Sequence, residues 1–195
     1  MIVDALIEGA LGPSSTLGSL RQTDYLDWPE KPGLELIYGR MYVSPSPTRL
    51  HQIVVLLLWR ILDRIAQQHG GQALAAPLDV TLADHSVVQP DVLYLSAERR
   101  DRAGERVEGA PDLVVEVLSP ATVQRDRGEK LQLYAASGIR EYWLVDAEAQ
   151  QVEFLIAHEG RFQVALPVDG FYRSEALPEI GWTLVDFWDE VARRI

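Results

Sequence analysis

Apolar positions change period along this chain, and the changes mark its elements. Leu50, Ile53, Val54, Leu57, Leu58, Ile61, Leu62 and Ile65 recur at steps of three and four, which predicts a helix over 50–68 with a wide buried stripe. Ser46 or Thr48 is placed to cap it, and Gly70-Gly71 to end it. Elsewhere the pattern shortens into runs of branched and aromatic residues. "LELIYGRMYVS" (34–44) reads as a hairpin turning at Gly39, with Glu35 on the face of Ile37. Residues 73–83, 86–96 and 111–119 read as three strands, the last so apolar that it belongs at the centre of its sheet. A polar connection of part turn and part short helix separates the last two. A second helix is predicted over 125–137, with Leu131, Tyr134 and Ala135 at core spacing, Asp126 and Lys130 on its polar side, and Gly138 as its stop. Strands follow over 141–149, 151–158 and 161–166. This order predicts an α/β or α+β sandwich built on one mixed sheet. Residues 1–22 mix Gly, Pro, Ser and Thr with a short apolar patch and are expected to form a flexible or partner-docked arm ahead of a domain over 23–195.

Three positions break the pattern. Pro90 and Asp91 interrupt the second strand, "SVVQPDVLYLS", where proline cannot donate a ladder hydrogen bond and a carboxylate needs a partner. Glu116 sits in the most apolar strand, on the face of Val114 and Leu118. Two carboxylates buried without counter-charge cost several kcal/mol each, and a divalent cation or a lysine relieves that cost. Lys130 is the natural lysine, because a helix beginning soon after this strand can fold back over it. Oxygen ligands of this kind favour Mg²⁺ or Mn²⁺, with Glu35 as a third carboxylate. The same residues also suit a purely structural ion-pair network, and spacing alone does not separate the two readings. His51 at the start of the long helix is either a capping or packing residue or a group that touches a phosphate or a ligand carboxylate. Gln89 either satisfies a neighbouring carboxylate or contacts a bound water or DNA. Asp126, four residues before Lys130, either orients that lysine or is a minor surface pair.

Composition narrows the field. The 195 residues contain no cysteine, which removes thiolate metal sites and cysteine nucleophiles. No apolar run reaches the roughly 20 residues of a membrane span, and the N-terminus lacks the basic start of a secretory signal, so a cytoplasmic protein is expected. There is no Walker-type loop, nucleophile elbow or closely spaced histidine pair. The net charge of −11 opposes a polyanionic partner. Against that stand two basic clusters beside the candidate strands: Arg99, Arg100, Arg102 and Arg106, and Arg125, Arg127 and Lys130. Acidic residues are interleaved in both, so a solvated loop face is the competing reading.

The phrases "TDYLDWPEKPGLELIYGRMYVSPSPTRLHQIV", "VVQPDVLYL", "GAPDLVVEVLSPAT" and "RDRGEKLQLYAASGIREYWLVD" closely resemble the Uma2 family, also called DUF820, from about Thr23 to the C-terminus. Its members are classed as candidate endonucleases with the restriction-endonuclease-like PD-(D/E)XK fold. The resemblance implies a central mixed sheet flanked by helices with an N-terminal hairpin, Asp91 as the aspartate of the Pro-Asp motif, and Glu116 as the acidic residue of the second motif. It also implies a lysine at position 118, where this chain has Leu118. The lysine function then falls to Lys130 on the following helix, and the hairpin glutamate maps onto Glu35. On that resemblance the protein is expected to be a Mg²⁺- or Mn²⁺-dependent DNA endonuclease, with Asp91, Glu116 and Glu35 as metal ligands and Lys130 beside them. A homodimer suits a nuclease that cuts both strands. The rival is a nuclease-fold binding or assembly module whose site is idle, a reading kept open by Leu118 and the acidic charge.

Overall fold

The structure is a computed structural model, and it describes residues 17–28 and 33–195. After a short helix α1 (Gln22–Leu26), strands β1 (Leu34–Ile37) and β2 (Arg40–Val43) pair antiparallel as the predicted hairpin. Tyr38 and Gly39 both take positive φ, 49° and 74°, which is the backbone a two-residue turn of matching twist requires. Residues 17–20 lie along this turn: the Gly18 N–H donates to Tyr38 O at 2.7 Å and the Leu20 N–H to Gly39 O at 3.2 Å. That stretch of the expected arm is therefore docked on its own domain, while 1–16 lie outside the described residues.

Helix α2 spans Arg49–His69. Thr48 caps it, its hydroxyl accepting from the His51 N–H at 3.2 Å, and Gly70 ends it in the left-handed conformation. Its buried stripe includes Val54, Leu57, Leu58, Leu62 and Ile65, as the spacing predicts.

The predicted single sheet is two sheets. Residues 73–83 divide into β3 (Gln72–Ala75) and β4 (Val80–Ala83), and 86–96 into β5 (Ser86–Val88) and β6 (Val92–Leu95). Beyond β6 come a 3₁₀ turn (Arg100–Arg102), β7 (Val107–Glu108) and β8 (Leu113–Val117), then after the next helices β9 (Glu141–Asp146), β10 (Gln151–His158) and β11 (Arg161–Ala165). One sheet orders as β2-β1-β5-β4-β7, the other as β11-β10-β9-β8-β6-β3. Both are mixed, with β4–β7 and β8–β9 the parallel pairs. The predicted strands 73–83 and 86–96 are each divided by a passage of the chain from one sheet to the other, at 76–79 and at 89–91, and Pro77 and Pro90 sit in those passages, where no ladder donor is needed. The pattern looked continuous across each break because apolar residues stand on both sides, buried at β5 and β6 and half-buried to buried at β3 and β4.

Alternating residues of the six-stranded sheet feed two layers. Val92, Tyr94, Val115, Val117, Trp143 and Val145 pack against α2, whereas Leu93, Leu95, Val114, Tyr142 and Leu144 face the opposite layer. The second predicted helix is two pieces, α3 (Val123–Asp126) and α4 (Glu129–Ser137), separated at Arg127-Gly128. Asp126 and Lys130 are not on a polar face: they are 2% and 3% exposed. Gly128 allows the turn, since a Cβ there would stand 2.8 Å from Gln124 O, and α4 restarts with Lys130 facing inward. The C-terminal ribbon β12 (Phe171–Arg173) and β13 (Gly181–Thr183), and helix α5 (Leu184–Ala192), extend the α2 layer. Their aromatic residues close over the sheet, with Tyr172 stacked on Phe154 at 3.5 Å and Phe187 edge-on to Trp182. Each such fully buried ring contributes roughly 1.5–3 kcal/mol.

Candidate active site

The passage at 89–91 places Asp91. Pro90 is buried between the sheets, and the chain then enters β6 with Val92 opposite Val115 of β8. Continuing that register by one residue sets Asp91 beside Glu116. Asp91 Oδ2 accepts from the Val117 N–H at 2.8 Å, fixing the carboxylate at the end of β8. His51, in the first turn of α2, brings Nε2 to 3.3 Å of the same oxygen. Burial works against a charged His51 ring, but the Asp91 hydrogen bond and charge outweigh it, so its pKa lies above the ordinary imidazole value.

Glu116 points into the other layer, where Lys130 meets it. The Lys130 ammonium lies 2.7 Å from Glu116 Oε1, 2.9 Å from Glu35 Oε1 and 3.8 Å from Asp126 Oδ1. The Tyr134 hydroxyl donates to Glu116 Oε1 at 2.7 Å, and the Gln89 backbone N–H to Glu35 Oε1 at 2.9 Å. Burial alone would lower the lysine, yet Glu116 and Glu35 hold its pKa above the ordinary ammonium value, so Lys130 carries its charge. Burial pushes Glu116 well up against the pull of Lys130, and pushes Asp126 up in the same way.

Four of the predicted residues, Glu35, Asp91, Glu116 and Lys130, thus converge from the hairpin, the inter-sheet passage, the central strand and the crossover helix. Asp126 stands at the edge of the group, with Oδ1 buried and without a hydrogen bond. The Gln89 side chain turns away: its amide donates to Asp79 Oδ1 at 2.8 Å and to the Tyr25 hydroxyl at 3.2 Å, and its oxygen accepts from the Gly33 N–H at 3.1 Å. Two neighbours escaped the sequence reading. Tyr134 appeared only as a core residue, although its i,i+4 spacing from Lys130 puts both on one helix face. Arg125 appeared only in a basic cluster; it stands 3.6 Å from Glu35 Oε2. The other basic side chains are largely engaged in structure. Arg99 donates to the carbonyls of Pro111 and Gly138 and pairs with Asp112, Arg102 donates to Ala110 O, Arg106 pairs with Glu108, and Arg127 pairs with Glu153.

Whether these groups suit a divalent cation depends on their unused oxygens. Among the described residues no three His, Asp or Glu side chains form a ready metal cage. Mg²⁺, however, is commonly held by one or two carboxylates, with water and substrate phosphate completing its shell. Asp91 Oδ1 and Glu116 Oε2 accept no hydrogen bond among the described residues, so this pair fits such a site. Glu35 is committed elsewhere, with Oε1 on Lys130 and Gln89 and Oε2 toward Arg125.

Central mixed sheets flanked by helices make this an α+β fold, with carboxylates and a lysine gathered near the passage between the sheets at Pro90-Asp91. Residues 22–184 match the family described as "Uma2: Putative restriction endonuclease", and the chain belongs to that family. It is similar to "Uncharacterized protein slr1290" of Synechocystis sp. (strain ATCC 27184 / PCC 6803 / Kazusa), with 28% identity over 150 residues covering 74% of this chain and 77% of the relative. Its fold is also that of a crystal structure from Anabaena variabilis ATCC 29413 described as "a putative nuclease belonging to DUF820". The TM-score is 0.76 at 20% identity, over 89% of this chain and 99% of the other. No helix among the described residues is long and apolar enough to cross a membrane.

Proposed function

We propose that the protein is a divalent-cation-dependent DNA endonuclease that hydrolyses phosphodiester bonds. The observation that carries this reading is that Asp91 is anchored on the Val117 N–H at 2.8 Å, one residue along β8 from Glu116, whose Oε1 meets Lys130 Nζ at 2.7 Å. Asp91 and Glu116 would hold Mg²⁺ or Mn²⁺, which when bound supplies Lewis acidity toward the phosphate and a water of lowered pKa. Lys130 then orients the attacking water or offsets negative charge growing on the phosphate. Glu35 and Tyr134 position that lysine and Glu116, and His51 positions Asp91. Incubating the purified protein with supercoiled plasmid, linear duplex and single-stranded DNA, with Mg²⁺ or Mn²⁺, tests the reading. Cleavage should require the cation and vanish in Asp91→Asn and Glu116→Gln; cleavage that survives either substitution overturns the site. A homodimer acting in the cytoplasm, with one site for each strand, belongs to the same reading and is checked by sedimentation.

A second reading, a nuclease-fold binding or assembly module with an idle site, is favoured by the enclosure of Lys130 at 3% exposure and by the net charge of −11. Calorimetry separates the two, since an idle module takes up no Mn²⁺ while retaining its partner.

A further inference from the structure

Arg125 is held by its plane more firmly than by its hydrogen bonds. Its guanidinium carbon lies 4.4 Å from the centroid of the Tyr42 ring, and Tyr42 is itself fixed by donating its hydroxyl to Glu129 Oε1 at 3.1 Å. Against this platform the polar contacts of Arg125 are loose. Nη1 reaches Ser44 Oγ at 3.4 Å and stands 3.6 Å from Glu35 Oε2, too far for a good hydrogen bond. A guanidinium carries five donors in a rigid fork, and this half-buried side chain, 14% exposed, leaves most of that capacity unused by the protein. Its neighbour Glu35 shares Lys130 with Glu116, so the fork lies one carboxylate away from the candidate reaction centre. Arg127, two residues on, is by contrast bidentate to Glu153 and has no such reserve.

We infer that Arg125, stacked on Tyr42 and steadied by Ser44, is a phosphate-binding residue that grips the backbone of a nucleic-acid strand next to the Asp91–Glu116 pair. A planar fork of fixed orientation matches two phosphate oxygens at once, which a lysine at the same place does not. This subsite rests on the nuclease reading above, but it is tested by binding and not by cleavage. It also gives an acidic protein a local means of holding a polyanion, because affinity comes from individual phosphate contacts.

Fluorescence anisotropy of a labelled 20-nucleotide duplex, titrated without divalent cation across 50–200 mM KCl, reads the effect. Relative to wild type, Arg125→Gln should weaken binding about tenfold and reduce the slope of log K against log salt by about one. Arg125→Lys should keep the slope yet lose affinity, and Tyr42→Leu should lose affinity with the slope intact. Circular dichroism and melting of each variant accompany the titrations, and a purely structural arginine would shift melting without moving the salt slope. An unchanged slope in a folded Arg125→Gln, or a wild type that binds no DNA, overturns the inference. Cleavage by the wild type together with an unaltered slope in Arg125→Gln would sink this subsite and leave the nuclease reading standing. Arg125-dependent binding without cleavage would do the reverse.

Discussion

Replacing Lys130 by methionine keeps the length of the side chain and removes one charge from a fully enclosed place. In the native fold the ammonium lies 2.7 Å from Glu116 and 2.9 Å from Glu35, and both carboxylates are almost completely buried. Glu35 retains the Gln89 N–H at 2.9 Å and the Arg125 guanidinium at 3.6 Å, so part of its support survives. Glu116 keeps only the neutral Tyr134 hydroxyl at 2.7 Å, and the loss falls mainly there. Stranding one partner of a buried ion pair costs about 3–5 kcal/mol. For a domain of this size that corresponds to a fall in Tm of roughly 6–20 °C. Adding Glu116→Gln removes the stranded charge, so the double variant Glu116→Gln/Lys130→Met should melt higher than Lys130→Met alone, recovering about 2 kcal/mol or more. Urea unfolding at neutral pH in the presence of EDTA measures all four corners of this cycle. A loss below about 1 kcal/mol in Lys130→Met, or a double variant no more stable than the single, would refute the reasoning that this ammonium is the counter-charge of Glu116.

Two further substitutions probe parts of the fold away from the carboxylates. Thr48→Ala deletes the cap that accepts the His51 N–H and should cost about 1 kcal/mol, read as a lower urea midpoint with an unchanged m-value; no shift would mean the cap is idle. Glu141 is fully buried, accepting from Trp143 Nε1 at 2.6 Å and from the Tyr172 and Ser174 hydroxyls, and burial raises its pKa above the ordinary carboxylate value despite these donors. A raised carboxyl binds its proton more tightly in the fold than in the unfolded chain. Its contribution is therefore complete below the unfolded pKa and is lost as pH rises through the folded one. The stability of wild type minus that of Glu141→Gln should fall with rising pH from about pH 4 upward, by at most about 1.4 kcal/mol per pH unit, and then level off. Parallel profiles for the two proteins would contradict this.

Sequence patterning carried some of these features and not others, for physical reasons. The α2 stripe and its Thr48 and Gly70 ends were legible because they are local: a period and two caps decide them. The carboxylates were legible as misfits, since Asp91 and Glu116 stand among residues that are otherwise apolar. The division into two sheets was not, because alternation records burial and says nothing of which sheet a strand joins; only Pro77 and Pro90 hinted at the passages. Helix α5 went unread although Leu184, Phe187, Trp188 and Val191 follow a helical period after Thr183. Its nine residues gain their stability from aromatic partners such as Trp182, and through it Trp143, and not from the segment itself. The burial of Lys130 depended on the break at Gly128, which a continuous helical reading over 125–137 conceals.

The place of Lys130 follows from the connection between β8 and β9. These strands are parallel neighbours with Glu116 opposite Leu144, so the chain between them has to cross over a face of the sheet. The face it covers is the one carrying Val114, Leu144 and Tyr142, with Leu133 and Tyr134 of α4 packed upon it. Glu116 alternates onto that same face, and so a polar residue on the inner side of the first turn of α4 is directed at its carboxylate. Lys130 and Tyr134, one turn apart, both end on Glu116 Oε1. A lysine at position 118 would approach from along the strand; Leu118 instead joins the apolar layer beneath the helix. Topology thus brings a lysine to Glu116 from the helix and not from the strand. The cost is enclosure, because an ammonium brought in under a helix is shared with Glu35 and Asp126 before any substrate arrives. Glu35 itself is shared, with Oε1 on Lys130 at 2.9 Å and Oε2 3.6 Å from Arg125, so its charge is divided between two cations while the ammonium meets three carboxylates.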